Sequence, residues 1–546
     1  MKRTLLTYLA VSIAYFCTGQ VVLTDASINT GETLTLTADE EYLLDGYVFV
    51  EDGATLNIDP GAVIKGKAVP TDGSAASALI VSRGGTINAL GEADQPIIFT
   101  AEFDDLSIPN DLTKNNKGQW GGLIILGNGI VGEDGGTDNI EGIPSGEGRA
   151  EYGGSDNEES SGTLQYVSIR HGGSALEANN EINGLTLGGV GSGTVINHIE
   201  VFANLDDGIE IFGGAPDIAY AAVAFCGDDS FDYDESYSGR GQFWFVIQDE
   251  LSNRAGELDG SEATDLLPKT DVTVANATFI GGGLSSTNED GNDALRIRDA
   301  GAIKLWNSII TEFADGAIAI DNDIEGDSYD ELLAGNIAFI GNLFAEFGDG
   351  DSFADIVSTD GGDDNILIDL LTDNSNTIQS IDLGGISRSA DGGLDPRPNA
   401  GSPALSDVVA LPEDPFLIDV DFKGAFSNTE NWATGWTALD AYGYFGDLST
   451  VATTEVPGFA QTTLFAAPNP VSDMTTISWE QTEEADLTLA IYDMTGRVVE
   501  RAFAQMHYAP GAHTVSVDTD RLAVGSYRLV LSAEGTVVSQ VAVIKK

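Results

Sequence analysis

Asp206, Asp207 and Glu210 return as Asp228, Asp229 and Asp232, each 22 positions on. The residues around them return in type as well, Ile196, His198, Val201 and Ile209 against Ile218, Tyr220, Val223 and Phe231. If each copy is one coil of a stack, the carboxylates of neighbouring coils stand about 4.8 Å apart. Carboxylates that close and unscreened either share a proton or hold a cation. Asp234 and Glu235 extend the cluster. Calcium takes about six to eight hard oxygens, commonly from loop carboxylates and backbone carbonyls. Asp206, Asp207, Glu210, Asp228, Asp229, Asp232 and Asp234 are therefore candidate ligands for Ca2+. Their spacing is not that of an EF-hand, and a solvated acidic corner is the plain alternative.

The same residues admit a second chemistry. A carboxyl pair roughly 5 to 9 Å apart suits glycoside hydrolysis of either stereochemical outcome, and Arg170-His171 would then bind substrate. The hydrolase family built on a parallel β-helix carries a Gly-His-Gly and an Arg-x-Lys segment, and neither occurs here. A calcium-assisted lyase needs an Arg or Lys base, for which Arg240 and Arg170 are nearest in sequence. A polysaccharide-degrading enzyme stays the second reading, with no catalytic residue assigned. His198 falls opposite Tyr220, which predicts a stacked structural side chain. Gln242-Phe243-Trp244-Phe245-Val246 offers an aromatic platform for sugar, although alternate residues must point inward. No Ser-His-Asp set, phosphate loop or zinc spacing is present.

Positioning such residues takes a regular scaffold. From about Leu43 to Phe347 the chain consists of short β-branched runs broken by Gly, Asn and Asp. The run from Val50 to Ile58 returns 31 positions later from Val81 to Ala89, and fainter copies begin at Asn307 and Asn342. A unit of this length cannot bury its apolar face alone, so copies must stack. This predicts an all-β chain: a right-handed parallel β-helix with inward Val, Ile, Leu and Phe, and with Gly and Asn at the corners. A β-propeller is the competitor, but its units of about 40 to 50 residues fit less well. Three prolines between Gly393 and Leu405 read as the end of the stack. The aromatic piece from Phe422 through Trp432 and Trp436 is expected to cap it. Residues 446–463 read as a linker. The strands after it, including Thr475–Trp479, Leu487–Tyr492, Thr514–Val517 and Tyr527–Leu531, alternate and predict a small antiparallel Ig-like β-sandwich over 464–546.

Composition bounds the partners. The chain has 87 Asp and Glu against 24 Lys and Arg, a net charge of −63, and its last 83 residues hold only 10 of the acidic side chains. Such a surface repels nucleic acid and anionic lipid, and disfavours acidic polysaccharide unless a cation bridges. Solubility in a salty or calcium-rich medium is the simplest account of it. Lys2 and Arg3 before the apolar run Leu5 to Phe16 read as a secretory signal peptide over 1–19. No run reaches the roughly 18 apolar residues of a membrane span, so no transmembrane segment is expected in the mature chain. Phe16 stands where lipoproteins carry Gly or Ala before the lipidated Cys, so lipidation of Cys17 is not expected. Cys226 is then the single cysteine, and no internal disulfide forms.

The terminal module resembles the C-terminal sorting domain of type IX secretion substrates of Bacteroidota. The resemblance rests on Pro468-Asn469-Pro470, on Tyr492-Asp493 with Gly496-Arg497, on Gly525 and Tyr527, and on the closing Lys545-Lys546. It implies passage through the general secretory route, folding in the periplasm, and recognition by the outer-membrane translocon. The larger part, spanning most of 43–445, is similar to a family of Bacteroidota β-helix proteins. That likeness is carried by Gln119-Trp120-Gly121-Gly122, Tyr166–Gly173, Asp206–Glu210 and Gly227–Asp232. It implies the fold and no activity. The expectation for 20–445 is a secreted or cell-surface β-helix passenger domain that binds a glycan or a neighbouring surface component.

Overall fold

The computed structural model describes residues 20–446 and 464–546, apart from 110, 178–179, 262–266, 289–292, 468–470, 482–483, 494–497, 523–524 and 534–535. The expected signal peptide, the expected linker from 447 on, and Pro468, Asn469, Pro470, Gly496 and Arg497 lie outside the described residues. The chain divides into two compact units, before and after residue 446.

The first unit is a parallel β-helix. One 10-stranded sheet and one 18-stranded sheet run along it, and the coils between its two ends contribute to both. The repeats read from sequence are the coils themselves. Thr55–Ile58 pairs in parallel with Thr86–Ala89, a step of 31, and Ile209–Phe212 pairs with Phe231–Asp234, a step of 22. Inward residues alternate with outward ones. Ile209, Ile211, Phe231 and Tyr233 lie in one continuous core, and Glu210 and Asp232 face away from it.

The long strands of the 18-stranded sheet bend in the middle. In the pair Gly162–Arg170 and Val195–Phe202, Gln165 faces Asn197 and Val167 faces Ile199, which leaves Tyr166 and His198 at the bend. Both adopt left-handed backbone, with φ of 48° and 56°. Tyr220, Phe243, Asn276 and Asn307 continue this row with φ of 55°, 59°, 54° and 47°. A positive φ turns the chain between two half-strands and throws the side chain outward.

The ends are closed differently from the expectation. The last parallel pairing joins Leu343–Phe347 to Thr377–Ile378, ahead of the proline-rich segment. The helix Asp364–Asp373 buries Leu367 and Leu371 in the main core near that end. The aromatic segment after Phe422 is not the end cap: it runs back along the flank of the 18-stranded sheet. Ala425 N donates to Thr278 Oγ1 at 2.8 Å, Ala438 N to Glu200 Oε2 at 2.6 Å, and Tyr442 faces His171. Aromatic content signals burial without saying against what, and a β-helix offers its flank as well as its end.

Polar clamps fasten this strap. Gln242 donates to Ile418 O and accepts from Ile418 N, both at 2.8 Å. Asn307 treats Val409 in the same way, at 2.7 and 3.0 Å, and Asn276 donates to Phe422 O at 2.9 Å. Deeper in, Glu200 is fully buried and accepts from Ser168 Oγ, Ala438 N and Leu439 N. Burial pushes its carboxyl up, against the pull of the Arg170 charge and these hydrogen bonds. Arg170 donates to Ser168 and lies over the Tyr442 ring.

The second unit has two antiparallel sheets. Phe465–Ala467, Met474–Gln481 and Gly511–Asp518 form one, and Val498–Tyr508, Ala485–Asp493, Gly525–Ala533 and Thr536–Lys545 the other. Ile477, Trp479, Leu489, Val517, Tyr527 and Leu529 fill the space between them. Tyr492 and Asp493 lie at the end of a strand, and Gly525 opens one. Lys545 is buried and bridges to Val471, whose carbonyl accepts from Lys546 N at 2.9 Å.

Candidate functional site

Two rows of side chains stand out on the β-helix, one on each sheet. On the 10-stranded sheet, one outward row reads Ile80, Ile124, Thr186, Glu210, Asp232, Glu257, Arg296 along the axis. Its first part is apolar and is covered by Ile140, Ile143 and Tyr152 of the insertion between Gly127 and Ser161. Its middle is acidic. Oxygen atoms of Asp206, Asp207 and Asp228 come within 4.8 Å of one another, as do those of Asp207, Glu210 and Asp232, and those of Asp229, Asp232 and Glu257. Six of the seven predicted carboxylates are thus brought together. Asp234 stands further along the strand, paired with Phe212, and accepts from Glu235 N at 2.5 Å.

The corner beside this row has a structural task. Asp207 N donates to Asn183 Oδ1, Asp229 N to Asp207 Oδ1, and Arg254 N to Asp229 Oδ1, at 3.2, 2.9 and 2.5 Å. Each corner side chain therefore satisfies the backbone of the next coil. Asn183 also donates to Glu141 and Glu210.

Counter-charges cover only one end of the row. Arg254 pairs with Glu257 at 3.1 Å, and Arg298 pairs with Glu257 and Asp259 at 2.9 and 2.6 Å. Among the described residues no ion pair reaches Asp207, Glu210 or Asp232. Burial, then mutual repulsion, raises all three well above the usual carboxylate range. Burial and the Asp228 charge bring Asp206 up to about 8. Burial brings Asp234 up to about 6. Neutral carboxylic acids sharing protons, or carboxylates around a cation, are the two states such a row can hold.

This fixes a pH dependence. In the unfolded chain these groups titrate near 4, whereas the fold keeps them protonated to higher pH. The folded state then binds more protons, and stability falls as pH rises from about 4 through about 8. His171 and His198, held neutral to about 4 by burial, work in the opposite sense, but only below about 6.5. Between about 6.5 and 8 the carboxylates set the slope. In chelator, urea unfolding is expected to show lower stability at the upper pH, and Asp207→Asn with Asp229→Asn is expected to flatten that slope. An unchanged slope in the double variant contradicts the assignment.

The second row lies on the 18-stranded sheet at the bend. Tyr166, His198, Tyr220 and Phe243 stack coil on coil, with ring centroids 4.3, 4.4 and 4.7 Å apart. His198 is the stacked side chain that its alignment with Tyr220 predicts. A cleft of about 420 Å³ runs between this stack and the strap, whose Ile418, Phe422 and Trp432 form the opposite wall and whose Glu430 sits at the rim. Trp432 meets His198 and Tyr220 edge-on, at 6.0 and 5.5 Å. Among the described residues the Tyr166 and Tyr220 hydroxyls and His198 Nε2 have no hydrogen-bond partner; His198 Nδ1 is taken by Asn197. The platform expected at 242–246 divides: Phe243 lines the cleft, and Trp244 turns inward to stack on Phe231 at 4.1 Å.

Several expectations are corrected. Arg170 and His171 do not face a substrate. Both are buried under the strap, with His171 Nδ1 donating to Asn116 O at 2.8 Å and Nε2 facing Tyr442 OH at 3.2 Å. Arg240 is no base beside the acidic row, because it lies on the other sheet, paired with Asp217 there and with Asp414 of the strap. The bases at the row are Arg254, Arg296 and Arg298, and all three are engaged, Arg296 with Asp321 and Asp360. Glu257, Asp259 and Glu141 were not foreseen. The coil step grows from 22 to 25 between Asp232 and Glu257, which hides the repeat, and Glu141 arrives on the insertion.

Comparison with known proteins agrees with this architecture. Residues 27–363 match the model of the pectate-lyase-like β-helix domain, and residues 466–545 match that of the secretion system C-terminal sorting domain. No curated protein matches the chain. Among the described residues no helix is long and apolar enough to cross a membrane. The sorting domain marks a type IX substrate, secreted or held at the cell surface. The chain belongs to the pectate-lyase-like β-helix family, as a passenger joined to a type IX secretion sorting domain.

Proposed function

We propose that this exported protein binds a glycan, and that the cleft beside the aromatic row is where it does so. The observation that carries this reading is the lining of the cleft, a row of stacked rings with polar tips facing the apolar side chains of the strap. Left-handed backbone costs an L-residue roughly 1–2 kcal/mol, so four such residues cost about 4–8 kcal/mol. Ring stacking offsets this by about 0.5–1.5 kcal/mol per pair, or about 1.5–4.5 kcal/mol for three contacts, in addition to the apolar area the rings bury. Asn tolerates this conformation better, and Asn276 and Asn307 fill the same bend in the coils where the strap is clamped directly. Aromatic residues occupy the bend beside the open cleft. Apolar walls with a few unpartnered polar tips are what a sugar ring and its hydroxyls require.

Trp432→Ala in the secreted protein is expected to weaken retention on a responsive polysaccharide in affinity electrophoresis by about tenfold or more, roughly 1.4 kcal/mol. Retention equal to that of the parent protein contradicts the assignment of the cleft.

A second reading concerns the acidic row, where Asp207, Glu210 and Asp232 lie close together without an ion pair. Calcium is the hard cation such oxygens suit. Binding to ionised carboxylates would expel their protons and stabilise the fold. Calcium is then expected to raise the melting temperature over that in chelator and to release protons near pH 6.5; no shift and no release removes the basis for it. Glycoside hydrolysis is less well supported, because Asp207 and Glu210 are buried and present little surface to a sugar chain.

A further inference from the structure

We infer that the cleft is selective for an uncharged glycan segment lying parallel to the β-helix axis, and that uronate and sulfated polysaccharides are excluded from it. The inference rests on the glycan-binding reading above and adds the ligand's charge and direction.

The direction follows from the row. Tyr166, His198 and Tyr220 come from successive coils and form one stack, so their polar tips repeat along the axis at the 4.3 and 4.4 Å spacing of the rings. The stacked faces are covered by their neighbours. What the row presents to the cleft is a line of ring edges and hydrogen-bonding tips, suited to successive hydroxyls of one extended chain. Trp432 and Phe422 close the other side along the same direction.

The charge follows from the surroundings. Among the described residues no Lys or Arg lines the cleft, and its one charged lining residue is Glu430. The strap that forms its wall carries Glu413, Asp414, Asp419 and Asp421. The basic residues nearby are committed elsewhere: Arg240 holds Asp217 and Asp414, and Lys423 is buried. Binding an anionic sugar here would put like charges together without a counter-ion. A bridging cation offers no escape through the acidic row, because Glu210 and Asp232 lie on the 10-stranded sheet and the cleft on the 18-stranded one. The tips suit neutral hydroxyls as well, since burial and the charge of Glu430 raise both tyrosines and keep them protonated, and His198 is neutral above about 4.

The test is a glycan array carrying neutral, uronate-containing and sulfated polysaccharides, probed with the intact secreted protein and its Trp432→Ala and Tyr220→Asn variants, with and without chelator. Neutral glycans are expected to bind at least about tenfold more tightly than anionic ones. Both variants should lose that binding, and chelator should leave it unchanged. Binding to uronate or sulfated glycans that disappears in the variants overturns the charge inference and leaves the cleft assignment standing. Binding that both variants retain, or no binding to any glycan, overturns the cleft assignment and this inference with it.

Discussion

Deleting residues 464–546 is expected to abolish surface display and release, leaving a folded β-helix trapped in the periplasm. The physical basis is the independence of the two units. The strands of the terminal sandwich pair only with one another among the described residues, and Ile477, Trp479, Leu489 and Leu529 give it a core of its own. Its removal breaks no ladder of the β-helix. A folding defect and a sorting defect therefore separate cleanly: circular dichroism of the trapped protein should report intact β structure, while cell fractionation reports the changed location. Surface display undiminished by the deletion contradicts the sorting role.

The second large effect concerns Glu200. Replacing it with Ala removes the acceptor of Ala438 N, Leu439 N and Ser168 Oγ, and leaves the Arg170 charge buried beside them. Leaving such buried donors unsatisfied costs about 1–3 kcal/mol each. Unfolding entropy near 2 cal/mol/K per residue means that 1 kcal/mol moves the midpoint of a domain this large by only about 1 °C. The loss is better read locally, as faster hydrogen exchange at Ala438 and Leu439 and earlier proteolysis of the strap. Because Trp432 rides on that strap, glycan binding should fall although Glu200 is buried and does not line the cleft. Glu200→Gln keeps one acceptor oxygen and should fall between the two. Unchanged exchange at Ala438 in Glu200→Ala contradicts the clamp.

Much of this scaffold was legible before any coordinate. The step of 22 carries Ile196 onto Ile218 and Asp207 onto Asp229, and those residues are true neighbours in the stack. A constant coil length makes the repeat visible, and where the length changes the neighbour disappears from view, as Glu257 shows. The aromatic row was half legible. His198 opposite Tyr220 predicted one stacked pair, but Tyr166 and Phe243 sit 32 positions before His198 and 23 after Tyr220. The opposite wall was not legible. Trp432 lies 212 positions beyond Tyr220, and no periodicity links a strap to the flank it covers. Arg170-His171 shows the converse error: residue types suited to substrate binding served instead to anchor the strap, because burial is set by a segment far away in sequence.

The most direct test of the account is Tyr220→Asn, which gives this coil the residue that the coils of Asn276 and Asn307 use at the same bend. The account predicts a fold as stable as the parent in urea unfolding, since Asn relieves the left-handed strain as the stacking is lost, together with loss of glycan binding. A variant that is clearly less stable yet binds as before would show that the aromatic row serves only packing, and would contradict the account at its centre.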